Sequence, residues 1–201
     1  TGGILPAQNV VITRVDGAAV DKISIGRPEY GAPAGAPYRA EEVTVKTPMG
    51  HVLTGTLTIP LNAKGKVPAV VTITGSGQED RDEYISLVPG DRIFRQVADT
   101  LGRRGIAVLR MDDRAINGSG GDVNKATSAD FADDIRAGVA YLRTRSEIDG
   151  ARIALVGHSE GGMIAPLVAS TDAKITAIVL MAGPAYTGQR IIDFQLKNGI
   201  M

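Results

Sequence analysis

The serine at position 159 stands in a pattern that is typical of a catalytic nucleophile. The turn Gly157-His-Ser-Glu-Gly161 matches G-x-S-x-G, in which the serine hydroxyl attacks a carbonyl carbon. Glycines two residues before and two residues after the serine leave room for a sharply strained turn that projects the hydroxyl above a sheet. The alternative interpretation is an ordinary Gly-Ser turn between two core elements. We take Ser159 as the candidate nucleophile.

Such a serine needs a strand before it and a helix after it, and the sequence predicts both. Residues 153–156 are a short apolar strand, and the apolar residues 163–169 are the start of a helix. The N-terminal N–H groups of that helix point to the place where an oxyanion would form. Pro166 lies within the helix and predicts a local bend, because proline removes a backbone hydrogen bond. The motif therefore has the context that it requires.

From residue 67 onward, predicted strands and helices alternate. The strands are expected at 68–74, 106–109, 153–156 and 175–181. The helices are expected at 91–105, at 129–144, after the turn 157–161 (the elbow) and near 191–201. Asp91 is the expected N-cap of the first helix and Gly105 its expected stop. This order predicts an α/β fold with a mostly parallel sheet and helices on both faces. Ligands bind at the carboxyl ends of such strands, where 75–77, Asp112-Asp113 and Ser159 fall.

The residues before 67 have the character of antiparallel strands. Apolar runs at 10–13 and 20–25 predict a first hairpin, and the proline-rich segment 26–37 predicts an extended linker. Residues 42–47 and 51–59 alternate at period two and predict a second antiparallel hairpin. We expect residues 1–40 to be a β-rich extension with a linker, and residues 41–201 to be the N-terminal portion of the main domain.

The composition excludes several classes of protein. A chain of 201 residues with 43% apolar content has enough apolar surface for the core of one domain. Its 22 basic residues balance 22 acidic ones, so no net field attracts it to nucleic acid or to an anionic membrane. It has no apolar run of transmembrane length and no cysteine, which excludes disulfides and thiolate chemistry. The compartment stays open, although the start at Thr1 favours export.

Three segments resemble the alpha/beta-hydrolase superfamily. They are residues 75–82 (GSGQEDRD), 109–119 (LRMDDRAINGS) and 148–162 (IDGARIALVGHSEGG). They are most similar to bacterial esterase-like members related to the serine aminopeptidase and dienelactone hydrolase groups. The sequence departs from the family at Ala115 and Asn117, where glycines are usual, and this departure is expected to stiffen the loop. The resemblance implies acyl transfer by serine without a metal or an organic cofactor.

The resemblance also implies roles for individual residues. Ser159 is the nucleophile, and the backbone N–H of Glu160 is one oxyanion donor. The second donor is expected in the loop after the 68–74 strand, where we favour the N–H of Ser76, with Gly77 and Gln78 as alternatives. The glycines that let the backbone turn or approach the substrate are Gly157, Gly161, Gly75 and Gly77.

The catalytic base is missing from the sequence. The superfamily's chain order is serine, then an acid, then histidine, yet no histidine follows Ser159. His158 is expected to pack and hydrogen-bond near the turn, since neighbours on a tight turn point apart, and His51 is expected to be a partly exposed strand residue. Asp172 and Asp193 lie too early to match the family's acid, and Asp172 is expected in the loop after the elbow helix.

We therefore expect this chain to be the N-terminal part of a longer protein. The C-terminal strands, the acid and the histidine are expected from a separate chain or from a segment outside this sequence. Without that part, the edge strand of the sheet and part of the core would be uncovered.

The predicted function is a serine hydrolase that cleaves a small-molecule carboxylic ester through an acyl-enzyme at Ser159. An aminopeptidase, amidase or thioesterase of the same fold is an alternative, as is a non-catalytic binding protein.

Other charged and glycine-rich segments have weaker signals. Residues 79–83 (EDRDE) either line the mouth of the active site or form a solvated loop. Asp112-Asp113-Arg114 is expected to contain a structural ion pair that braces its loop. Residues 118–121 lack the lysine of a P-loop and the spacing of a dinucleotide fingerprint, so nucleotide binding is rejected.

Overall fold

The computed structural model describes residues 29–84 and 91–199. The first predicted hairpin and most of the predicted extension lie outside these residues. The described strands are β1 (Tyr38–Lys46), β2 (Val52–Pro60), β3 (Val67–Ile73), β4 (Ala107–Met111), β5 (Ile148–His158) and β6 (Ile175–Met181). The helices are α1 (Ile93–Gly102), α2 (Ser128–Thr144), α3 (Gly161–Ala169) and α4 (Gly188–Lys197).

The six strands form one sheet in the order β1-β2-β4-β3-β5-β6. β1 pairs antiparallel with β2, and β2 pairs antiparallel with β4. The pairs β3–β4, β3–β5 and β5–β6 are parallel. A mostly parallel sheet with antiparallel N-terminal strands is therefore confirmed. The parallel strands all end at one edge, where the loops after β3, β4 and β5 meet.

Helices cover both faces of the sheet, as the alternating pattern predicts. On one face, Phe94 and Ala98 of α1 pack against Val70, Val108 and Val156. On the other face, apolar residues of α2 and α3 join the larger core cluster with residues from β1 to β5. Central strands that are buried on both faces need continuous apolar runs, and β4 is buried at every position.

Several boundaries differ from the sequence expectations. β1 begins at Tyr38, directly after the expected linker 26–37 and before the expected strand start at residue 42, and β5 begins at Ile148. Asp91 is not the N-cap of α1: Arg92 occupies that position without a capping side-chain bond, and Asp91 accepts a hydrogen bond from Gln96. Gly105 does stop the helix, because its φ of 83° allows the chain to leave the helix in the left-handed region.

Pro166 lies inside α3, which continues to Ala169. α2 begins with a capping box, in which the Thr127 side chain accepts from the Asp130 N–H and the Asp130 carboxylate accepts from the Thr127 N–H. Such a box satisfies two helix N–H groups that would otherwise lack partners.

β6 is an edge strand with exposed apolar side chains. Ile178, Val179 and Leu180 are exposed, although β6 runs parallel to β5 and such strands are usually covered on both faces. Phe194 and Leu196 of α4 are exposed as well. The expectation of an uncovered edge strand is confirmed. Among the described residues, the helices are too short or too polar to cross a membrane.

Candidate active site

Ser159 follows directly after β5 and has a left-handed backbone conformation with φ of 50°. A residue with a side chain adopts this region only when its surroundings enforce it. Two contacts hold it there: its N–H donates to the carbonyl oxygen of Met181 at 2.9 Å, and its carbonyl oxygen accepts from the N–H of Gly162 at 2.9 Å. The residue is partly exposed. The residue therefore lies at the edge of the sheet and not in its core.

The elbow glycines leave no space for a side chain. A Cβ atom on Gly157 would lie 2.1 Å from the carbonyl oxygen of Gly161. A Cβ atom on Gly161 would lie 2.2 Å from the carbonyl oxygen of Ile73, at the end of β3. The two glycines thus allow the strand, the turn and α3 to approach as closely as the motif requires.

The loop after β3 lies against the serine. A Cβ atom on Gly75 would be 3.3 Å from the Cβ atom of Ser159, so the backbone of Gly75 passes close to the serine side chain. Ser76, Gly77 and Gln78 follow on the exposed surface of the loop, and Gly77 has a φ of 117°. Within residues 29–84 and 91–199, no hydrogen bond uses the N–H of Ser76 or that of Glu160.

Glu160 links the elbow to α2. Its Oε1 atom accepts a hydrogen bond from the Ser128 hydroxyl at 2.7 Å, and its carbonyl oxygen accepts from the N–H of Met163 at 2.8 Å. The side chain is therefore directed towards α2, while its free N–H lies at the start of α3. An N–H group at this position is part of the positive end of a helix.

The acidic loop after β3 is mostly buried. Arg81, Asp82 and Glu83 are 2% exposed or less. The solvated-loop interpretation of residues 79–83 is therefore wrong, because their charges have partners in the protein. Glu83 Oε1 accepts the N–H of Gly75 at 2.8 Å and lies 2.7 Å from Nδ1 of His158.

Two further carboxyl groups at this loop have altered acidity. Burial, together with the charge of Glu83 and a hydrogen bond to it, raises the pKa of Glu79 to about 8. Burial likewise raises the pKa of Asp113 to about 7, although its carboxylate accepts from the Glu79 N–H and the Thr74 hydroxyl. Carboxyl groups with a raised pKa are common at functional sites.

Two buried ion pairs connect the loops after β3 and β4 to other parts of the protein. Arg81 forms an ion pair with Asp112 at 2.6 Å, and its guanidinium lies 4.2 Å from the centre of the Tyr30 ring. Arg114 pairs with Asp134 of α2, also at 2.6 Å. A structural role for Asp112 and Arg114 is thus confirmed. The partners, however, are in other elements and not in the same loop.

Both histidines have acidic partners. His158 contacts Glu83, which confirms the expected hydrogen-bonding role. His51 precedes β2 and is more buried than expected, since Nε2 lies 3.0 Å from Asp134 Oδ1 and the side chain is 12% exposed. Of the downstream acids, Asp172 follows α3, as expected, and pairs with Arg143, which lowers the pKa of Asp172. Asp193 accepts a hydrogen bond from Gln189.

Ala115 and Asn117 occupy left-handed positions, with φ of 62° and 47°. These are the two positions where the resemblance expects glycine, which adopts this region without strain. Asparagine tolerates it better than alanine does. The turn therefore keeps a glycine-type backbone despite the two substitutions.

A cleft opens between the loops after β3 and β4 and the helix α2. Its lining combines Gly75, Gly77, Thr74, Asp113 and Asp134 with the apolar side chains Leu53, Met111, Phe131, Ile135 and Ile164. The cleft thus reaches from the loop beside Ser159 into an apolar region.

Glu83 is the residue of this site that sequence reasoning did not single out. The signal that was present is an acidic residue shortly after a glycine-rich strand end. The contact with His158 joins residues that are 75 positions apart, so no local pattern indicates it.

Known proteins are similar to this chain in both sequence and fold. A sequence model of the family described as serine aminopeptidase, S33, matches residues 91–197. Esterase EstD of Thermotoga maritima is 31% identical over 170 residues, which are 85% of this chain and 38% of the esterase. Thiohydrolase apmlB of Arthrinium phaeospermum is 32% identical over 145 residues, which are 70% of this chain and 42% of that protein.

Among solved structures, the esterase Pf2001 of Pyrococcus furiosus superimposes with a TM-score of 0.61 and 25% identity. The match covers 77% of this chain and 55% of the esterase. The chain thus spans about two fifths of the length of the curated relatives it matches. The family match extends across β5 and α3, the elements that hold the strained serine and the glycines of its turn. The chain therefore belongs to the alpha/beta-hydrolase superfamily, within the esterase-like serine aminopeptidase family.

Proposed function

We propose that the protein is a serine hydrolase that cleaves a small-molecule carboxylic ester through an acyl-enzyme at Ser159. The observation that carries this proposal is the left-handed, partly exposed serine that lies beside the loop after β3. A protein that only binds a ligand has no need of so strained a serine. The similarity to esterase EstD supports an ester as substrate.

In the proposed reaction, Ser159 Oγ attacks the carbonyl carbon and its proton passes to a histidine. The carbonyl oxygen becomes an oxyanion, which accepts hydrogen bonds from the N–H groups of Glu160 and Ser76. Collapse of this intermediate breaks the ester bond, and the histidine returns the proton to the leaving alcohol. Water then hydrolyses the acyl-enzyme by the reverse sequence of proton transfers. Free N–H groups directed at the developing charge are the main source of stabilisation in such reactions.

The histidine and its acid are proposed to come from a segment outside this chain. His51 and His158 are both engaged with carboxylates, at Asp134 and Glu83. The exposed apolar residues of β6 offer an edge for further strands, and the matched relatives are longer. The remaining part of the same protein is therefore the proposed partner of this surface.

The test is labelling of the complete protein with a fluorophosphonate, which phosphonylates an activated serine. We expect labelling of the wild type and none of Ser159→Ala. Ser170→Ala is the matched control, because Ser170 is an exposed serine at the end of α3 and its loss is expected to leave labelling unchanged. No labelling of the complete wild-type protein would overturn the proposal and favour a non-catalytic binding protein.

A thioester is a second candidate substrate, because a relative at 32% identity is a thiohydrolase. An amide is a third, because the matched family is described as serine aminopeptidase. All three share the acyl-enzyme. Turnover of matched p-nitrophenyl ester, thioester and aminoacyl p-nitroanilide substrates by the complete protein separates them, and we expect the ester to have the highest kcat/KM.

A further inference from the structure

Glu83 contacts both segments of the chain that meet at Ser159. Its Oε1 atom accepts the N–H of Gly75 at 2.8 Å and lies 2.7 Å from Nδ1 of His158. Gly75 directly precedes Ser76 in the loop after β3, and His158 directly precedes Ser159 at the end of β5. A single carboxylate oxygen thus joins the loop after β3 to the strand that carries the elbow.

We propose that Glu83 is a positioning residue that fixes the separation of the two oxyanion donors, the N–H groups of Ser76 and Glu160. This inference rests on the proposed function, because it assigns Glu83 a role in the same reaction. Glu83 acts through Gly75 and His158 and does not touch the substrate. A shift of about 1 Å in an oxyanion donor costs on the order of 100-fold in rate, so a contact that holds the two segments together affects catalysis directly.

The conformation of Glu83 supports this role. The residue is 1% exposed and has a left-handed backbone with φ of 53°. Strained backbone and a buried carboxylate are both unfavourable in isolation, and they persist where surrounding contacts enforce them. A Cβ atom on Gly75 would lie 3.0 Å from Glu83 Oε1, so the glycine leaves just enough room for the carboxylate.

Glu79 is a second carboxyl group close to Glu83. Glu79 Oε2 and Glu83 Oε2 are both buried and have no hydrogen-bond partner within the described part of the chain. Burial and the charge of Glu83 raise the pKa of Glu79 to about 8, so Glu79 keeps its proton at neutral pH and adds no second negative charge beside Glu83. The contacts of Oε1 with Gly75 and His158 are therefore the ones that orient the Glu83 carboxylate.

A different role for Glu83 would be purely electrostatic, with its negative charge acting on the site. Two conservative variants separate the roles. Glu83→Gln keeps the length of the side chain and an oxygen acceptor but removes the charge. Glu83→Asp keeps the charge but is one methylene shorter, so it does not span both Gly75 and His158. A geometric role requires the glutamine variant to be the more active, and an electrostatic role requires the reverse.

The experiment measures kcat and KM with p-nitrophenyl acetate, the fluorophosphonate labelling rate and the melting temperature, all on the complete protein. We expect Glu83→Asp and Glu83→Ala to lower kcat and the labelling rate by about 100-fold with KM nearly unchanged, and Glu83→Gln to stay within about tenfold of wild type. The inference would be overturned if Glu83→Asp were as active as Glu83→Gln. It would also be overturned if Glu83→Asp or Glu83→Ala had a lower melting temperature but an unchanged kcat of the folded protein.

The two histidines provide a matched control. His158→Ala removes the elbow side of the Glu83 contact and is expected to lower kcat by about tenfold. His51→Ala removes an imidazole–carboxylate contact of similar length, 3.0 Å to Asp134, and is expected to leave kcat unchanged. In the double variant Glu83→Asp/His158→Ala, the losses are expected to be less than additive, because both changes break one connection.

If Glu83→Ala does not fold, the inference is still tested by comparing His158→Ala with His51→Ala and Glu83→Gln with Glu83→Asp. Equal effects of the two histidine variants on kcat would overturn the inference. The outcome is also separable from the proposed function. If Ser159-dependent labelling is present in the wild type and equally fast in Glu83→Asp, the inference about Glu83 fails and the proposed function stands.

Discussion

The backbone of Gly157 passes so close to Gly161 that a Cβ atom at position 157 would lie 2.1 Å from the Gly161 carbonyl oxygen. No rotamer relieves this overlap, because both atoms belong to the backbone or are fixed to it. The start of α3 therefore sits directly over the end of β5, which forces Ser159 into its left-handed conformation.

Gly157→Ala is accordingly expected to destabilise the complete protein by about 3 kcal/mol or more, in the range that overpacking of a rigid site produces. Urea unfolding measures the change. Gly188→Ala is the matched control, because no heavy atom lies within 4 Å of a Cβ atom there. We expect the control to be neutral or slightly stabilising, and an equal loss in both variants would contradict the steric explanation.

The buried ion pair of Arg81 is expected to be far more important for stability than an exposed pair of the same length. Arg81→Ala leaves Asp112, which is 1% exposed, without its cation and is expected to cost about 3–5 kcal/mol. Arg152→Ala breaks an exposed pair with Asp149 and is expected to cost about 0–1 kcal/mol. Both pairs have a distance of 2.6 Å, so burial is the variable that is compared. Equal losses in urea unfolding would show that burial does not decide the cost.

Glu79 predicts a dependence of stability on pH. Its pKa in the unfolded chain is near the ordinary 4.5 and in the folded protein about 8, so the folded state binds more protons between these values. The free energy of unfolding therefore falls as the pH rises from about 4.5 to 8. Asp113, with a pKa raised to about 7, acts in the same direction.

Glu79→Gln is expected to match the wild type near pH 5 and to be more stable at pH 9, by at least about 1.4 kcal/mol, the equivalent of one pKa unit. Urea midpoints at several pH values measure this. Glu147→Gln is the control of opposite sign, since Arg145 holds the pKa of Glu147 at about 2 and its charge is stabilising at high pH. A lower stability of Glu79→Gln than of the wild type at pH 9 would contradict the raised pKa of Glu79.

Ala115→Gly is expected to stabilise the protein by about 1 kcal/mol, because a left-handed conformation is unfavourable for residues that have a Cβ atom. Ala129→Gly, on the exposed side of α2, is the same substitution at a helical position and is expected to cost about 1 kcal/mol. Melting temperatures of the two variants should therefore move in opposite directions. Movement in the same direction would contradict a backbone effect.

The elements of the fold were largely predictable because their signals are local. The hairpin β1–β2 follows from alternation, α1 ends where Gly105 permits a left-handed turn, and the elbow follows from its two glycines. The expected N-cap at Asp91 was wrong because the residue instead accepts a hydrogen bond from Gln96. Boundaries depend on such small competitions between neighbouring side chains.

The amino-acid sequence alone indicated Ser159 as the candidate nucleophile and determined the strand–turn–helix that strains it, since the steric demands of that turn act within five residues. Only the tertiary structure decided whether the charges of the acidic segment 79–83 are buried or exposed to solvent. Its charges are buried because their partners arrive from distant positions: Asp112 follows β4, and His158 ends β5. Removing a carboxylate from water is favourable only when such partners are in place, and the packing of the sheet, not the local pattern, supplies them.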